Sequence, residues 1–81
     1  MVDLKLLEDT IKKKGLKLNY IAQEMHITRY TLRNKLDGIY EFTASEMSAL
    51  KTILRLTQSE FRHIFFATES ELNSRYQEVN E

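Results

Sequence analysis

Cysteine, proline and tryptophan are absent from this chain of 81 residues, and glycine occurs only twice. Without cysteine there is no disulfide and no thiolate ligand for zinc, and two isolated histidines, His26 and His63, do not replace one. We therefore expect no metal site and no cofactor. The lack of cysteine fits a cytoplasmic protein and equally a thiol-free secreted one. Because proline is missing and glycine is scarce, we expect helices joined by short loops.

Long apolar runs and catalytic groupings are missing as well. No stretch of about 18 apolar residues occurs, so we expect no membrane span. The first residues lack the charged, apolar and small order of a signal peptide, so we expect none. No Ser-His-Asp grouping, Gly-rich phosphate loop or paired-carboxylate pattern is recognisable, so we expect neither an enzyme nor a small-molecule site. The length predicts one domain with a modest core.

The formal net charge is zero, but the charges are unevenly distributed. Residues 12–38 contain seven basic and two acidic side chains, for a local charge of +5. Residues 57–81 contain two basic and five acidic side chains, for −3. We expect a basic face and an acidic end, and a basic face can meet nucleic acid whatever the total charge. The run Lys12–Lys14 suits the C-terminus of a helix, because cations interact favourably with that end of the dipole.

Three helices are marked by their ends. Asp3 is a candidate N-cap for a first helix that runs to about Lys14, where Gly15 stops it. Two capping-box spacings, Thr43 to Glu46 and 57 to 60, predict helices from there to about 54 and to about 67.

Residues 18–38 predict two more helices, at about 18–25 and about 28–36, joined by a tight turn. Ile21 with Met25 and Leu32 with Leu36 are i,i+4 apolar pairs, so each helix has one apolar stripe. Ala22 is small enough to let the two helices cross closely. The opposite face of the second helix is predicted to carry Arg29, Tyr30, Arg33 and Asn34.

This stretch resembles the helix-turn-helix of the lambda-repressor/Cro-like family, also called the XRE family. The resemblance is carried by Ile21-Ala-Gln-Glu-Met-His-Ile-Thr-Arg-Tyr-Thr-Leu32 and then by Asn34-Lys-Leu-Asp-Gly38. Two positions depart from the family pattern. His26 stands where the family usually has Gly at positive φ, which His tolerates better than most residues. Leu18 stands where the family often has a Gln that contacts a phosphate.

The resemblance implies an all-α, compact five-helix domain over residues 1–67, with the helix-turn-helix at helices 2 and 3. Residues 68–81 would be an acidic C-terminal tail or a short helix. It further implies sequence-specific binding of a double-stranded DNA operator by helix 3 in the major groove, as in a Cro-type transcriptional repressor. Such a protein would act in the cytoplasm, at the nucleoid of a bacterial cell or phage-infected host, and small regulators of phages and prophages of Gram-positive bacteria are similar.

The resemblance assigns DNA roles to particular residues. Arginine donates two hydrogen bonds to guanine and asparagine pairs with adenine, so the expected base readers are Arg29, Tyr30, Arg33 and Asn34. The expected phosphate contacts are Lys17, Asn19, Thr28, Lys35 and Tyr40. Beside this motif we favour a phosphate-facing role for Lys12–Lys14 in addition to the helix-end role. Two plainer interpretations stay open: the base-reading set is only an exposed polar face, and Tyr40 only packs on Phe42.

A second surface is predicted on helix 5. Phe61, Phe65 and Phe66 cannot all face the core, because neighbouring residues lie about 100° apart on a helix. One of them should therefore be exposed and, together with Leu72, Tyr76 and Val79, available for a homodimer. A dimer would place two recognition helices about 34 Å apart.

Two alternatives stay open for the function. One is an antitoxin-like or other mobile-element autoregulator that also binds a partner protein. The other is a pure protein-interaction helical module.

Overall fold

The computed structural model describes residues 1–73, which form helices and loops and contain no strand. The helices are α1 (Leu4–Lys14), α2 (Leu18–Glu24), α3 (Arg29–Leu36), α4 (Ala44–Ile53) and α5 (Gln58–Phe65). A short helix, α6, occupies 69–73. The predicted all-α class is therefore confirmed. No helix in this part of the chain has the length and apolar character needed to cross a bilayer.

The predicted starts of helices are confirmed by their capping bonds. The Asp3 side chain accepts from the backbone N–H of Leu6 at 3.0 Å, and Gly15 ends α1 in the left-handed region at φ 72°. Both capping boxes form, at Thr43 with Glu46 and at 57 with 60. These caps satisfy N–H groups that the first turn of each helix leaves without a partner.

The core lies where the five main helices meet. The side chains of Leu7, Ile21, Leu32, Leu50 and Phe65 are at most 1% exposed. Truncating such a residue to Ala costs about 2–5 kcal/mol, since apolar contact is lost and a cavity is left behind. Because α2 and α3 each contribute a fully buried residue to this core, both helices are part of the packed body.

The first three residues close the fold in a way that the sequence did not predict. The N–H of Asp3 donates to the carbonyl of Ile64 at 2.7 Å, and the N–H of Ala67 donates to the carbonyl of Met1 at 2.9 Å. The chain start thus lies along the C-terminal end of α5. This bonding also accounts for the early end of α5 at Phe65, two residues before the predicted end, because the Ala67 N–H is bonded outside the helix.

The beginning of the acidic segment is attached to α5. Thr68 caps α6 by accepting from the N–H of Glu71 at 3.1 Å, and the Glu71 carboxylate contacts Arg62 at 3.4 Å and His63 at 3.1 Å. The hydrogen bond with His63 is the largest of the causes that lower the pKa of Glu71 to about 2. Leu72 is buried, so its predicted place in an exposed dimer surface was wrong. Tyr76 and Val79, the other two residues of that prediction, lie outside the described residues.

Candidate nucleic-acid interface

The corner between α2 and α3 is a tight hydrogen-bonded turn. The N–H of Ile27 donates to the carbonyl of Ala22 at 3.0 Å, and the N–H of His26 donates to the carbonyl of Gln23 at 3.1 Å. These two bonds are those of a Schellman motif, which requires a left-handed residue between them. His26 supplies it with φ 60°, as its place in the sequence predicted.

Burial along α2 and α3 determines which faces remain outside. Ile21 and Ala22 of α2 and Leu32 and Leu36 of α3 are buried. The first turn of α3 projects away from this packing. The N-terminal end of α3 is therefore exposed, and its C-terminal end is packed against the rest of the domain.

The N-terminal end of α3 is open to solvent. Thr28 is the N-cap, and its Oγ accepts from the N–H of Thr31 at 3.0 Å. Arg29 is exposed and Tyr30 is 76% exposed, the largest exposed fraction among the large hydrophobic side chains of residues 1–73. Within residues 1–73, Arg29 forms no ion pair. We call residues 28–30 the open end of α3.

Arg33 is placed differently from Arg29, although both were predicted to read bases. Its guanidinium pairs with the carboxylate of Glu8 on α1 and, at 2.9 Å, with that of Asp37. Partial burial acts to lower the pKa of Arg33, but the hydrogen bonds to Glu8 and Asp37 outweigh it and the pKa is raised. The side chain remains 39% exposed. Arg33 thus connects α3 to α1, and its Nε and Nη2 already donate to carboxylates of the protein.

The predicted exposure of Asn34 and Lys35 was wrong, because each residue is only 9% exposed. The Lys35 ammonium donates to the carbonyl of Glu41 and pairs with the carboxylate of Glu46, both at 3.0 Å. The physical reason is the helical period: Lys35 is three residues after the buried Leu32, so it lies on the inner side of α3. A phosphate contact by Lys35 and base reading by Asn34 both lose the exposure that they require.

The pairing of Glu46 with Lys35 also affects the pKa of Glu46. Burial acts to raise the pKa of Glu46, but the hydrogen bond from the Thr43 N–H and the pairing with Lys35 outweigh it and lower the pKa. Glu46 therefore has two functions in the fold: it completes the capping box of α4 and it neutralises Lys35. The loop between α3 and α4 is fixed to both helices through this one carboxylate.

The remaining predicted phosphate contacts are exposed. Lys17 is the N-cap of α2, Asn19 follows in its first turn, and Tyr40 is more than half exposed in the loop after α3. Tyr40 is thus accessible to solvent, although it lines the same groove as Phe42.

The three consecutive lysines at the end of α1 separate onto two sides of the domain. Lys13 and Lys14 lie in a groove with Glu60 of α5. The hydrogen bond from the Thr57 N–H is the main cause that lowers the pKa of Glu60, and the charges of Lys14 and Lys13 lower it further. Lys12 instead lines a small groove with Leu18 of α2 and Arg33 of α3. Sequence reasoning treated the three lysines as one set, and the 100° step between helical neighbours could have separated them.

No side-chain grouping suited to a metal ion occurs in the described part of the chain, where three or more His, Asp or Glu residues never come together for that purpose.

Comparison with known proteins gives no relative from which a role could be taken. No family model, no curated protein and no solved structure matches the chain. What can be said of this surface therefore comes from its own residues and from the resemblance of residues 21–38 to a helix-turn-helix.

Proposed function

We propose that this chain binds duplex DNA in a sequence-specific manner, with the open end of α3 in the major groove, and acts as a Cro-type transcriptional repressor. The observation that carries the proposal is the contrast within α3: Arg29 and Tyr30 are exposed and free of ion pairs in residues 1–73, whereas residues 33–36 hold the helix in place. In a helix-turn-helix, the N-terminal residues of the recognition helix contact the base edges.

The chemistry of the open end fits a base edge and a phosphate. Arg29 carries a planar guanidinium that can donate to O6 and N7 of one guanine, which is worth about 1–3 kcal/mol of discrimination. Tyr30 offers a ring for a thymine methyl group and a hydroxyl for a phosphate. The backbone N–H groups of the first turn, next to Thr28, point along the positive end of the helix dipole, where an anion is stabilised.

Backbone contacts would come from the neighbouring exposed side chains. Lys17 and Asn19 lie at the start of α2. Lys12 lines the same groove as Leu18, which is the residue between Lys17 and Asn19 in the sequence. Tyr40 would contact the backbone from the loop beyond α3. Because Arg33 and Lys35 are paired within the protein, we expect only two to three released counterions per copy, from Lys12, Lys17 and Arg29. The logarithm of affinity should then fall with the logarithm of salt concentration with a slope of about −2 to −3 per copy.

In this proposal the paired side chains position α3. Glu8 and Asp37 hold Arg33, while the carbonyl of Glu41 and the carboxylate of Glu46 hold Lys35. A recognition helix that is already fixed loses less entropy when it binds, and fixed geometry favours one base sequence over others. Asn34 and Lys35 are only 9% exposed, so we assign no base contact to Asn34 and no phosphate contact to Lys35.

The second candidate is a protein-interaction module, which includes an antitoxin-like autoregulator that binds a partner protein. It is favoured by the exposed apolar side chains of Tyr40 and Phe66, which stand at one groove of the surface. Scattered exposed apolar residues are ordinary, but a cluster of them at a groove is typical of a binding surface.

Selection of binding sites from random duplex DNA tests the proposal. At low salt we expect the full chain to enrich one sequence motif, and we expect Arg29→Ala to lose that enrichment while its thermal unfolding is unchanged. Arg62→Ala is the control for the loss of one exposed arginine outside α3: Arg62 is exposed on α5, where it pairs with Glu71, and its replacement should leave the enriched motif unchanged. If the full chain enriches no motif and shifts no duplex at low salt, the DNA-binding proposal fails and the interaction module becomes the better account.

A further inference from the structure

Two carboxylates from different parts of the chain contact the guanidinium of Arg33. Glu8 lies in the middle of α1, and Asp37 is the C-cap of α3. The Nε of Arg33 donates to the carboxylate of Asp37 at 3.1 Å, and its Nη2 donates to the carboxylate of Glu8. The edge of the guanidinium that these two nitrogens form is therefore occupied. We call Glu8 and Asp37 the carboxylate pair.

Arg33 lies on nearly the same side of α3 as Arg29. The two residues are four positions apart, which separates them by about 40° around the helix and about 6 Å along it. The side chains of Arg33 and of the carboxylate pair are about a third to a half exposed, so solvent reaches all three. In the proposed complex, a major groove that accepts Arg29 would bring a phosphate close to Arg33.

The carboxylate pair cancels the attraction of Arg33 for DNA. Two carboxylates and one guanidinium carry a net charge of −1, so the group as a whole repels a phosphate. A guanidinium that already donates to carboxylates must also give up those bonds before it can bind another anion. Lys12 lines the same small groove as Glu8 and Arg33, so one of the proposed phosphate contacts lies beside this group.

The carboxylate pair affects DNA binding more than it affects folding. An ion pair that is this exposed contributes little to stability, because water screens the two charges. Each additional phosphate contact, by contrast, steepens the dependence of DNA affinity on salt by about 0.9 in the logarithmic slope. One carboxylate is enough to hold an arginine in place, and the second gives the group its excess of negative charge.

We propose that Glu8 and Asp37 are specificity-determining residues, which withhold Arg33 from phosphates and so limit binding to duplexes that lack the recognised sequence. The proposal rests on the proposed DNA binding by the open end of α3. Phosphate contacts carry no sequence information, so a released Arg33 strengthens binding to every duplex. The same release removes the bonds that hold α3 against α1, on which the orientation of Arg29 depends. Duplexes without the recognised sequence therefore gain more than the recognised one.

Fluorescence anisotropy of the full chain tests the proposal on two duplexes, one of random sequence and one enriched by binding-site selection. The carboxylate variant combines Glu8→Ala with Asp37→Ala. At about 50 mM salt we expect its affinity for the random duplex to rise about tenfold, with a salt slope that is steeper by about 1. Its affinity for the selected duplex should rise less than about threefold, so that the ratio of the two affinities falls at least about threefold.

Asp9→Ala with Glu69→Ala is the matched control. It removes two exposed carboxylates from α1 and α6, where Asp9 pairs with Lys5 and lines the groove towards α5. Both affinities of the control should stay within about twofold of the parent chain, with an unchanged salt slope. Circular dichroism checks that each variant folds. If the carboxylate variant does not fold, Glu8→Gln with Asp37→Asn removes the same charges and keeps the side-chain size.

The addition of Arg33→Ala to the carboxylate variant shows whether the released arginine causes the gain. We expect it to cancel most of the gain on the random duplex and to return the salt slope to that of the parent chain. A gain that persists without Arg33 overturns the proposal. A carboxylate variant that behaves like the control overturns it, and so does an equal gain on both duplexes.

Failure of this proposal is distinguishable from failure of the proposed function. If the parent chain binds neither duplex, DNA binding itself fails and the role of the carboxylate pair fails with it. If the parent chain binds its selected duplex and the carboxylate variant matches the control, only the role of the carboxylate pair is overturned.

Discussion

The two ends of α3 each carry an arginine, and the two arginines have different environments. Arg29 and Arg33 are the same residue type, four positions apart, on a helix whose apolar stripe is Leu32 and Leu36. Arg29 is exposed and forms no ion pair within residues 1–73, whereas Arg33 contacts two carboxylates. The same helix is therefore free at its first turn and attached to α1 and the next loop at its last turns.

Under the proposed function, one short helix would contact DNA with its first turn and be held in position by its last turns. A side chain that reads a base has to be exposed in the free protein, because a paired donor must first give up its partner. A side chain that positions the helix has to be paired already. The residue type does not tell which of the two requirements an arginine meets. The residue that lies opposite its side chain in the fold does, because a carboxylate there pairs with the arginine.

The largest expected effect concerns the open end. Arg29→Ala should reduce affinity for a selected duplex about 10- to 100-fold, which corresponds to about 1–3 kcal/mol for a lost bidentate contact. The free energy of unfolding should stay within about 0.5 kcal/mol, since an exposed side chain without partners contributes little. Fluorescence anisotropy and urea unfolding measure the two quantities. Weaker folding with unchanged DNA affinity would place Arg29 with the positioning residues.

The next largest effect is expected at Lys35. Lys35→Ala leaves Glu46 without its cation and removes the side chain whose ammonium lies 6.0 Å from the centre of the Phe42 ring, so we expect about 2 kcal/mol of destabilisation in urea unfolding. The double variant Lys35→Met with Glu46→Gln restores an apolar stem and keeps an amide that can cap α4, and it should recover most of the loss. A stability equal to that of the parent in Lys35→Ala would show that this ion pair does not hold the loop.

A smaller coupling is expected between Arg33 and Glu8. The Arg33 side chain is more than a third exposed, so solvent screening limits the pair to about 0.5–1 kcal/mol in a double-mutant cycle of Arg33→Ala and Glu8→Ala. Reversing both charges should preserve most of that coupling. Additive single effects in urea unfolding would mean that the pair is incidental and that Arg33 is available to DNA.

A stabilisation of similar size is expected at the corner that orients α3. His26 adopts a left-handed backbone conformation, which costs a non-glycine residue about 1–2 kcal/mol. His26→Gly removes that strain but adds freedom to the unfolded chain, so we expect a net gain of about 0.5–1 kcal/mol. Arg55, at φ 54° after α4, is a matched site, and Arg55→Gly should behave alike. If His26→Gly and Arg55→Gly both lower the stability in thermal unfolding, the left-handed residues are not strained.

The smallest effect is a dependence of stability on acidity. The pKa of Glu46 is lower in the folded chain than its ordinary 4.5, so its stabilisation is present above pH 4.5 and is lost as pH falls below that value. Glu71, with a pKa of about 2, acts in the same direction between pH 4.5 and about 2. Urea unfolding from pH 6 to pH 2 should show a shallower decline in Glu46→Gln. The combination with Glu71→Gln should be shallower still, and an unchanged decline in both would contradict the account.

Local signals predicted most of the helix boundaries. Asp3, Thr43 and Thr57 were identified as caps because a cap depends on residues within four positions of it, and such spacing can be read directly. The same pattern at Thr68 with Glu71 marks α6 and was overlooked. The prediction that one of Phe61, Phe65 and Phe66 is exposed is confirmed, and the exposed residue is Phe66.

What sequence reasoning missed depends on contacts between distant residues. Residues 1–3 bond to the end of α5, and Glu8 pairs with Arg33. Both contacts join positions that are far apart in the chain, so the spacing of neighbouring residues does not predict them. Lys35 is an intermediate case. Its distance of three residues from Leu32 indicated the inner side of α3, but the residue type suggested DNA, and the helical period decided its position. The DNA-binding role of the open end stays a prediction.

The most direct measurement of the central claim is a nitrogen-15 NMR titration of the full chain with a random-sequence duplex of about 20 base pairs at low salt, enough for two half-sites. We expect the largest shifts of backbone N–H signals at Thr28, Arg29 and Tyr30 and then at the start of α2, around Lys17. Residues 33–36 should shift little. Shifts centred on Tyr40 and Phe66 with none at the open end of α3, or no shifts at all, would contradict it.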